Sequence, residues 1–252
     1  MISILGAGKM GEALLSGLLR AGSPASSVTA VELREARAAE LRDRYGISVV
    51  SATEATKNAD TLVVAVKPQD MASALAEISP LVRPDQLVIS IAGGITTAFI
   101  EQRLSAEVPV VRVMPNTPAQ VGQAMSVISA GSFAGERHLA AAEELFRSVG
   151  KTTRVPEAYQ DAATALSGSG PAYVYYLVES MVDAGVLVGM PRETALELVI
   201  QAVYGAATML RDSGEHPVIL REAVTSPGGT TAAAIRELEN HGVRAAFLAA
   251  IE

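Results

Sequence analysis

Cysteine is absent from the 252 residues, so disulfides and thiolate metal sites are excluded outright. Histidine is scarce: only His138, His216 and His241 occur, widely scattered, and no metal site is expected. No long hydrophobic run survives inspection either. The most apolar later stretch, Tyr173 to Met190, is interrupted by Glu179 and Asp183, which argues against a membrane span. No positively charged, apolar leader precedes Met1-Ile2-Ser3-Ile4-Leu5, so a signal peptide is not expected. Charged residues make up 19% against 49% hydrophobic, a globular rather than a disordered composition. The formal charge of −7 gives no overall attraction for nucleic acid or an anionic membrane. It also means that any anion must be held by local amides or helix ends. A soluble, cytoplasmic protein without nucleic-acid or membrane partners is the expectation.

What is present falls into two halves. Short apolar runs at Ile2–Leu5, Val28–Glu32, Ser48–Val50, Thr61–Val66, Leu87–Ile91 and Val110–Met114 read as strands. Amphipathic stretches such as Glu12–Arg20 and Arg34–Tyr45 alternate with them, which implies βαβ units and a mostly parallel, doubly wound sheet. Further strands at Ser126–Ser129 and Thr152–Val155 would flank a helix over Gly135–Ser148. Near Pro156 the pattern changes. Only helical segments follow: Glu157–Leu166, Ala172–Val188, Arg192–Arg211, Val218–Val224, Thr231–His241 and Arg244–Ile251. The expected organisation is an α/β domain over residues 1–155 and an all-α domain over residues 156–252. The middle helices carry many small residues and more apolar surface than so small a domain covers, so they are expected to intertwine with a second subunit.

The first half carries a cofactor signature. Gly6-Ala7-Gly8-Lys9-Met10-Gly11 fits G-x-G-x-x-G at the turn from a strand into a helix. The first glycine permits the tight turn, the second lets a pyrophosphate approach the backbone, and the third allows close helix–strand packing. The helix N-terminus then offers amides and partial positive charge to the phosphates. Glu32, about twenty residues on at the end of the second strand, completes the Rossmann-type dinucleotide-binding context. Its carboxylate suits the ribose hydroxyls of NADH and would repel a 2′-phosphate, whereas Arg34 and Arg37 are near enough to welcome one. NADPH or NADH is therefore expected, with the choice open. Ala65-Val66-Lys67-Pro68, Ala92-Gly93-Gly94 and Pro115-Asn116-Thr117-Pro118 end later strands on the same ligand-binding edge. The Asn116 amide is a candidate contact to the nicotinamide, with a plain proline-braced turn as the alternative.

Three polar interruptions break the helical half. Ser167-Gly168-Ser169-Gly170-Pro171-Ala172 reads as a flexible break, Gly214-Glu215-His216-Pro217 places His216 before a helix-starting proline, and Ser226-Pro227-Gly228-Gly229-Thr230-Thr231 runs into a helix. The last has the form of an anion site, in which glycine amides turn inward and Ser226 or Thr230 caps the following helix.

Taken together, GAGKMG, AVKP, MPNTP, SGSGPAY, GEHP and SPGGTT, in this order over essentially the whole chain, resemble pyrroline-5-carboxylate reductase. The resemblance implies the last step of proline biosynthesis, with hydride passing from the nicotinamide to the C=N carbon of L-1-pyrroline-5-carboxylate. It implies a homodimer formed through the C-terminal helices, often built further into a ring of dimers. Position by position, Thr231 would set its hydroxyl by the ring nitrogen as the catalytic residue. Ser226, Gly228, Gly229 and Thr230 would hold the substrate carboxylate, and Glu215 would lie near the substrate amine. Ala223 and Gly93 depart from the residues usual in the family. A β-hydroxyacid-dehydrogenase-like enzyme would need a lysine in the second domain, and none occurs after Lys151. A non-catalytic dinucleotide sensor would have no use for SPGGTT.

Overall fold

A computed structural model describes all residues from Met1 to Glu252. Eight strands form one sheet: β1 (Ile2–Leu5), β2 (Val28–Val31), β3 (Ser48–Val49), β4 (Thr61–Val64), β5 (Leu87–Ser90), β6 (Val110–Met114), β7 (Ala124–Ala130) and β8 (Gly150–Arg154). Their order is β3-β2-β1-β4-β5-β6-β7-β8. Every pairing is parallel except β6 with β7, which is antiparallel in the register Val113 opposite Ile128. The expected doubly wound sheet is present, and several strands end one or two residues earlier than the apolar runs do.

Alternation along the strands explains why both faces are covered. Ile4, Val63, Ile89, Val111 and Val113 join one buried cluster, while Leu5, Leu62, Val64, Val88 and Val110 join another. Successive side chains point to opposite faces, so a strand buried on both reads as a continuous apolar run. The first cluster is closed by α1 (Lys9–Arg20), α2 (Glu35–Tyr45) and, after the next three helices, by α6 (Glu136–Arg147), through Leu14, Leu15, Leu18, Leu41, Leu145 and Phe146. The second is closed by α3 (Ala52–Asn58), α4 (Met71–Ile78) and α5 (Thr97–Glu101), through Ala55, Met71, Leu75, Ile78 and Ile100. Each such large side chain, fully withdrawn from water, contributes about 1.5–3 kcal/mol.

The chain divides into two compact units, Met1–Ser169 and Gly170–Glu252. The division falls beyond Pro156 because the intervening segment is bonded to the sheet. Glu157 accepts from the Thr97 backbone N–H at 2.8 Å and from its hydroxyl at 2.6 Å. Gln160, fully buried, donates to the Val127 carbonyl at 3.2 Å and to the Ser129 hydroxyl at 2.8 Å. The single helix expected over Glu157–Leu166 is instead a 3-10 turn at Glu157–Tyr159, the short α7 (Gln160–Ala163) and a π-helical turn at Thr164–Gly168. The Ser167–Gly170 run is correspondingly a wound, hydrogen-bonded turn and not a flexible break: the Ser169 N–H donates to the Thr164 carbonyl at 2.8 Å.

The second unit is helical throughout: α8 (Gly170–Leu187), α9 (Arg192–Ser213), α10 (Pro217–Ala223), α11 (Thr230–Asn240) and α12 (Val243–Ile251). Gly185 lets α8 approach α9 closely, since a Cβ there would lie 3.0 Å from that of Ala195. Only Val182 and Ala195 are fully buried hydrophobics in this unit. Tyr175, Tyr176, Leu187, Leu198, Tyr204 and Leu248 are all exposed. No helix is long and apolar enough to cross a membrane.

Candidate active site

The sheet order reverses direction at β1, which has β2 on one side and β4 on the other. In such sheets the ligand crevice lies beyond the carboxyl ends of the strands at this switch point. Gly6 occupies it. Its N–H donates to the Val31 carbonyl at 3.1 Å, while the Ala65 N–H donates to the Leu5 carbonyl at 2.8 Å. With φ of +101° and only 2.9 Å between a hypothetical Cβ and the Ala65 oxygen, Gly6 is required by the protein itself. Gly11 is likewise required, because a Cβ would run into the Gly6 carbonyl.

Gly8 differs from both. Its φ of −67° and ψ of −174° suit any residue, and a Cβ there would meet nothing within 4 Å. The protein has no internal need for glycine at this position; a phosphate close to the backbone does. No side chain caps α1, and its first internal bond runs from the Glu12 N–H to the Gly8 carbonyl at 2.8 Å. The amides of Lys9, Met10 and Gly11 therefore have no intrahelical acceptor and remain available to an anion. Ala7 is buried and Lys9 is exposed. The residues present fit a dinucleotide pyrophosphate.

The neighbouring groups sort by what already holds them. Glu32, just past β2, accepts from the Arg34 backbone N–H at 3.0 Å and from its guanidinium at 3.1 and 3.3 Å. These bonds keep its carboxyl below the usual range. Val66 is half-buried and Lys67 and Pro68 are exposed beyond β4, Lys67 starting a 3-10 turn without an ion pair. Ala92, Gly93 and Gly94 form a turn beyond β5, with Gly94 at φ +74°. Asn116 is bound elsewhere: its oxygen accepts from the Met125 N–H at 3.0 Å, and its amide donates to the Ser167 carbonyl at 3.0 Å. The side chain ties the β6 loop to β7 and to the π-helical turn.

Sequence reasoning missed two clusters. Arg112, 4% exposed on β6, pairs with Glu157 at 3.4 Å and Asp161 at 3.3 Å. Glu12, in the first turn of α1, is met by Arg37, by Arg44 at 3.1 Å and by the Tyr45 hydroxyl at 2.8 Å. An acid in the first turn of a helix whose start fits a phosphate is a signal in itself: its charge opposes an anion there, and the arginines of α2 offset it.

In the second unit, Glu215 is exposed in the turn between α9 and α10, and His216 caps α10 by accepting from the Val218 N–H at 3.3 Å. The expected capping of the last motif is not what forms. Thr230 is the first residue of α11, the N-cap is Gly229, and no side chain caps it. The Ser226 carbonyl instead closes a turn onto the Gly229 N–H at 3.0 Å, with Gly228 at φ +69°. The first internal bond is from the Ala233 N–H to the Gly229 carbonyl at 3.2 Å, which leaves the amides of Thr230, Thr231 and Ala232 free of intrahelical partners. A hydroxyl cap would have consumed a donor that a bound carboxylate can now use.

The chain is similar to known proteins over its whole length. Residues 157–252 match the family described as pyrroline-5-carboxylate reductase dimerisation, and residues 1–94 match that described as NADP oxidoreductase coenzyme F420-dependent. A pyrroline-5-carboxylate reductase of Corynebacterium melassecola is 42% identical over 255 residues, covering 100% of this chain and 94% of that one. The structure of a pyrroline-5-carboxylate reductase from Coxiella burnetii superposes with a TM-score of 0.94 at 34% identity, covering 99% of this chain and 94% of that one. A Plasmodium falciparum pyrroline carboxylate reductase with NADP bound gives 0.89 at 31% identity, covering 99% and 93%.

Proposed function

The chain belongs to the pyrroline-5-carboxylate reductase family, and from that premise we propose how its residues carry the reaction. The protein is an NAD(P)H-dependent reductase that converts L-1-pyrroline-5-carboxylate to L-proline, the closing step of proline biosynthesis. The Gly6–Gly11 loop would hold a reduced nicotinamide dinucleotide, whose chemistry would be to supply hydride for the ring C=N carbon. The π electron pair of that bond moves to nitrogen, which takes up a proton.

The chain's own part is chiefly positioning. The loop Gly6–Gly11 receives the pyrophosphate, and the observation that carries this reading is the open space beside Gly8. Lys67 faces the phosphates or ribose, and the Ala92–Gly94 turn allows close backbone approach. Ser226, Gly228, Gly229 and the free amides of Thr230 and Thr231 hold the substrate carboxylate, which suits a protein of net charge −7. The Thr231 hydroxyl hydrogen-bonds the ring nitrogen. A threonine is too weak an acid to protonate an imine unaided, so water or an already protonated iminium delivers the proton. Glu215 supplies a negative partner for the charged nitrogen.

Residues 1–155 are the cofactor-holding domain, and residues 156–252 form the substrate-binding and dimerisation domain. The exposed Tyr175, Tyr176, Leu198 and Tyr204 favour a homodimer through these helices, with a ring of dimers as the further assembly. The working location is the cytoplasm, where reduced dinucleotide is available.

The test is absorbance at the reduced-cofactor band when purified protein meets pyrroline-5-carboxylate with NADH or NADPH. Rapid, saturable oxidation with formation of proline is the expected result. Cofactor binding with no oxidation would overturn the reading and leave a dinucleotide sensor.

A further inference from the structure

A groove bearing positive charge runs along one flank of α1. Lys9, Glu12, Ser16 and Arg20 follow one another at intervals of three and four residues, so they share a face of the helix. Arg44 and Tyr45, at the end of α2, form a second wall, and Gln120, in the turn at Thr117–Val121, adds to the lining. The enclosed space is about 390 Å³. The chain as a whole has 27 acidic residues against 20 basic ones, yet three cations line this groove and only one carboxylate does. That carboxylate, Glu12, is already matched by Arg37 and by Arg44.

Most donors of these cations have no partner. Lys9 and Arg20 are exposed and enter no ion pair. Arg20 gives one bond, to the Ser16 hydroxyl at 2.5 Å, and a guanidinium has five N–H groups to give. Arg44 is held in place by Glu12 at 3.1 Å and lies over the Tyr45 ring, 5.2 Å from its centre. The rise along the helix from Lys9 to Arg20 is about 16 Å, so no single small oxyanion meets both ends of the groove. A linear chain of phosphates, met from each end by a long side chain, does.

We propose that this groove binds a linear polyphosphate, free or as the tail of a nucleotide, and that the bound anion weakens the hold of α1 on the dinucleotide. The groove is apart from the glycine loop, since Gly6, Gly8 and Gly11 do not line it. Arg44 and Lys9 are the link. Phosphate oxygens draw on Arg44, which leaves Glu12 to Arg37 and Tyr45, and they add negative charge beside the helix start that a pyrophosphate needs. The two anions therefore disfavour each other, and the effect is reciprocal. Binding in the groove stands without the dinucleotide reading given above; the coupling rests on it.

The test is titration calorimetry of the full chain with inorganic triphosphate, first without cofactor. One site per chain is expected, weakening as salt is added. Arg20→Gln, an exposed change, should lower triphosphate affinity about 10-fold or more and leave the dissociation constants of NADH and NADPH unchanged when no triphosphate is present. In the parent protein, triphosphate should raise the cofactor's dissociation constant about 5-fold or more and then reach a plateau, because both anions are bound at once. Uridine triphosphate, run in parallel, separates the sources: tighter binding than the inorganic chain supports a nucleotide tail, weaker binding a free chain. Triphosphate affinity unaltered in Arg20→Gln, or a cofactor dissociation constant that climbs without limit, would place the anion in the glycine loop and overturn the proposal. Triphosphate binding with no effect on a cofactor that does bind would overturn the coupling. Failure of both cofactors to bind without triphosphate would overturn the dinucleotide reading instead, so the failures are distinguishable.

Discussion

Gly6 and Ala65 approach so closely that a Cβ on the glycine would stand 2.9 Å from the alanine's carbonyl oxygen. The contact joins the loops that leave β1 and β4, and so it shapes the crevice at the switch point. Gly8, two residues on, has no such neighbour. The two glycines therefore make opposite predictions. Gly6→Ala forces a side chain into φ +101° and into backbone, and should cost on the order of 1–3 kcal/mol of stability. Gly8→Ala should leave the melting temperature of the free protein nearly unchanged yet weaken cofactor binding about 10-fold or more, equivalent to about 1.4 kcal/mol. Thermal melts with and without cofactor check both. Equal destabilisation by the two substitutions would show that Gly8 serves the fold after all.

Gly229 makes the corresponding prediction for the loop proposed to hold the substrate. A Cβ there collides with the Ser226 hydroxyl, and Gly228 beside it is held at φ +69°. Gly229→Ala should push Ser226 aside and disturb the turn before α11. Steady-state kinetics should show KM for pyrroline-5-carboxylate raised by about 10-fold or more, with the dissociation constant of the cofactor unchanged. An unaltered substrate KM would remove this loop from the carboxylate site.

How much of this could be read from the sequence depended on whether the signal was local. The central strands were readable because apolar side chains on both faces leave an unbroken run, and the glycine loop because its residues are contiguous. The short helices α3, α4 and α5 were not anticipated, since seven, eight and five residues give too little periodicity. Nor was the antiparallel direction of β7, which shows only in its pairing with β6. The Asn116 bonds to Met125 and Ser167 and the Glu157 bonds to Thr97 join residues far apart in the chain. No spacing announces those. The start of α11 was read one residue late, at Thr231, and given a hydroxyl cap, because Ser and Thr beside a helix normally supply one.

Asn116 supplies a stability prediction. Replacing it by Asp keeps an acceptor for the Met125 N–H but turns the donor facing the Ser167 carbonyl into a second acceptor. Leaving that half-buried carbonyl unpaired against a carboxylate should cost about 1–3 kcal/mol. Urea unfolding at neutral pH checks the size. A partial recovery at acidic pH, where the carboxyl is protonated and can donate again, is the signature that separates this cause from a packing defect.

Glu12 supplies the pH dependence. Burial alone would raise its carboxyl, but hydrogen bonds from Tyr45 and Arg37 and the charges of Arg37 and Arg44 leave it below its ordinary 4.5. A carboxyl depressed in the folded state stabilises fully above its unfolded value and loses that contribution as pH falls through the folded value. Glu12→Gln should therefore be less stable than the parent at pH 7, by about 1 kcal/mol for charge-assisted bonds at a partly exposed site. The difference should shrink as pH falls below 4.5. Denaturation at several pH values measures it, and a gap that stays constant into acid would assign the loss to shape and not to charge.

Thr231 bears on the chemistry itself. It is the second residue of α11, where its amide and its hydroxyl both lie at the positive end of the helix. Thr231→Ala removes the hydroxyl and keeps the amide. If the hydroxyl stabilises developing charge or relays a proton at the ring nitrogen, kcat should fall roughly 10²–10⁴-fold. Thr231→Ser should recover most of that loss, because it restores the hydroxyl, whereas Thr231→Val, of nearly the same shape as threonine, should not. A defect confined to KM would make Thr231 a binding residue. The proton would then come from solvent or from the iminium alone, and the loop's contribution would be the grip of its backbone on the carboxylate.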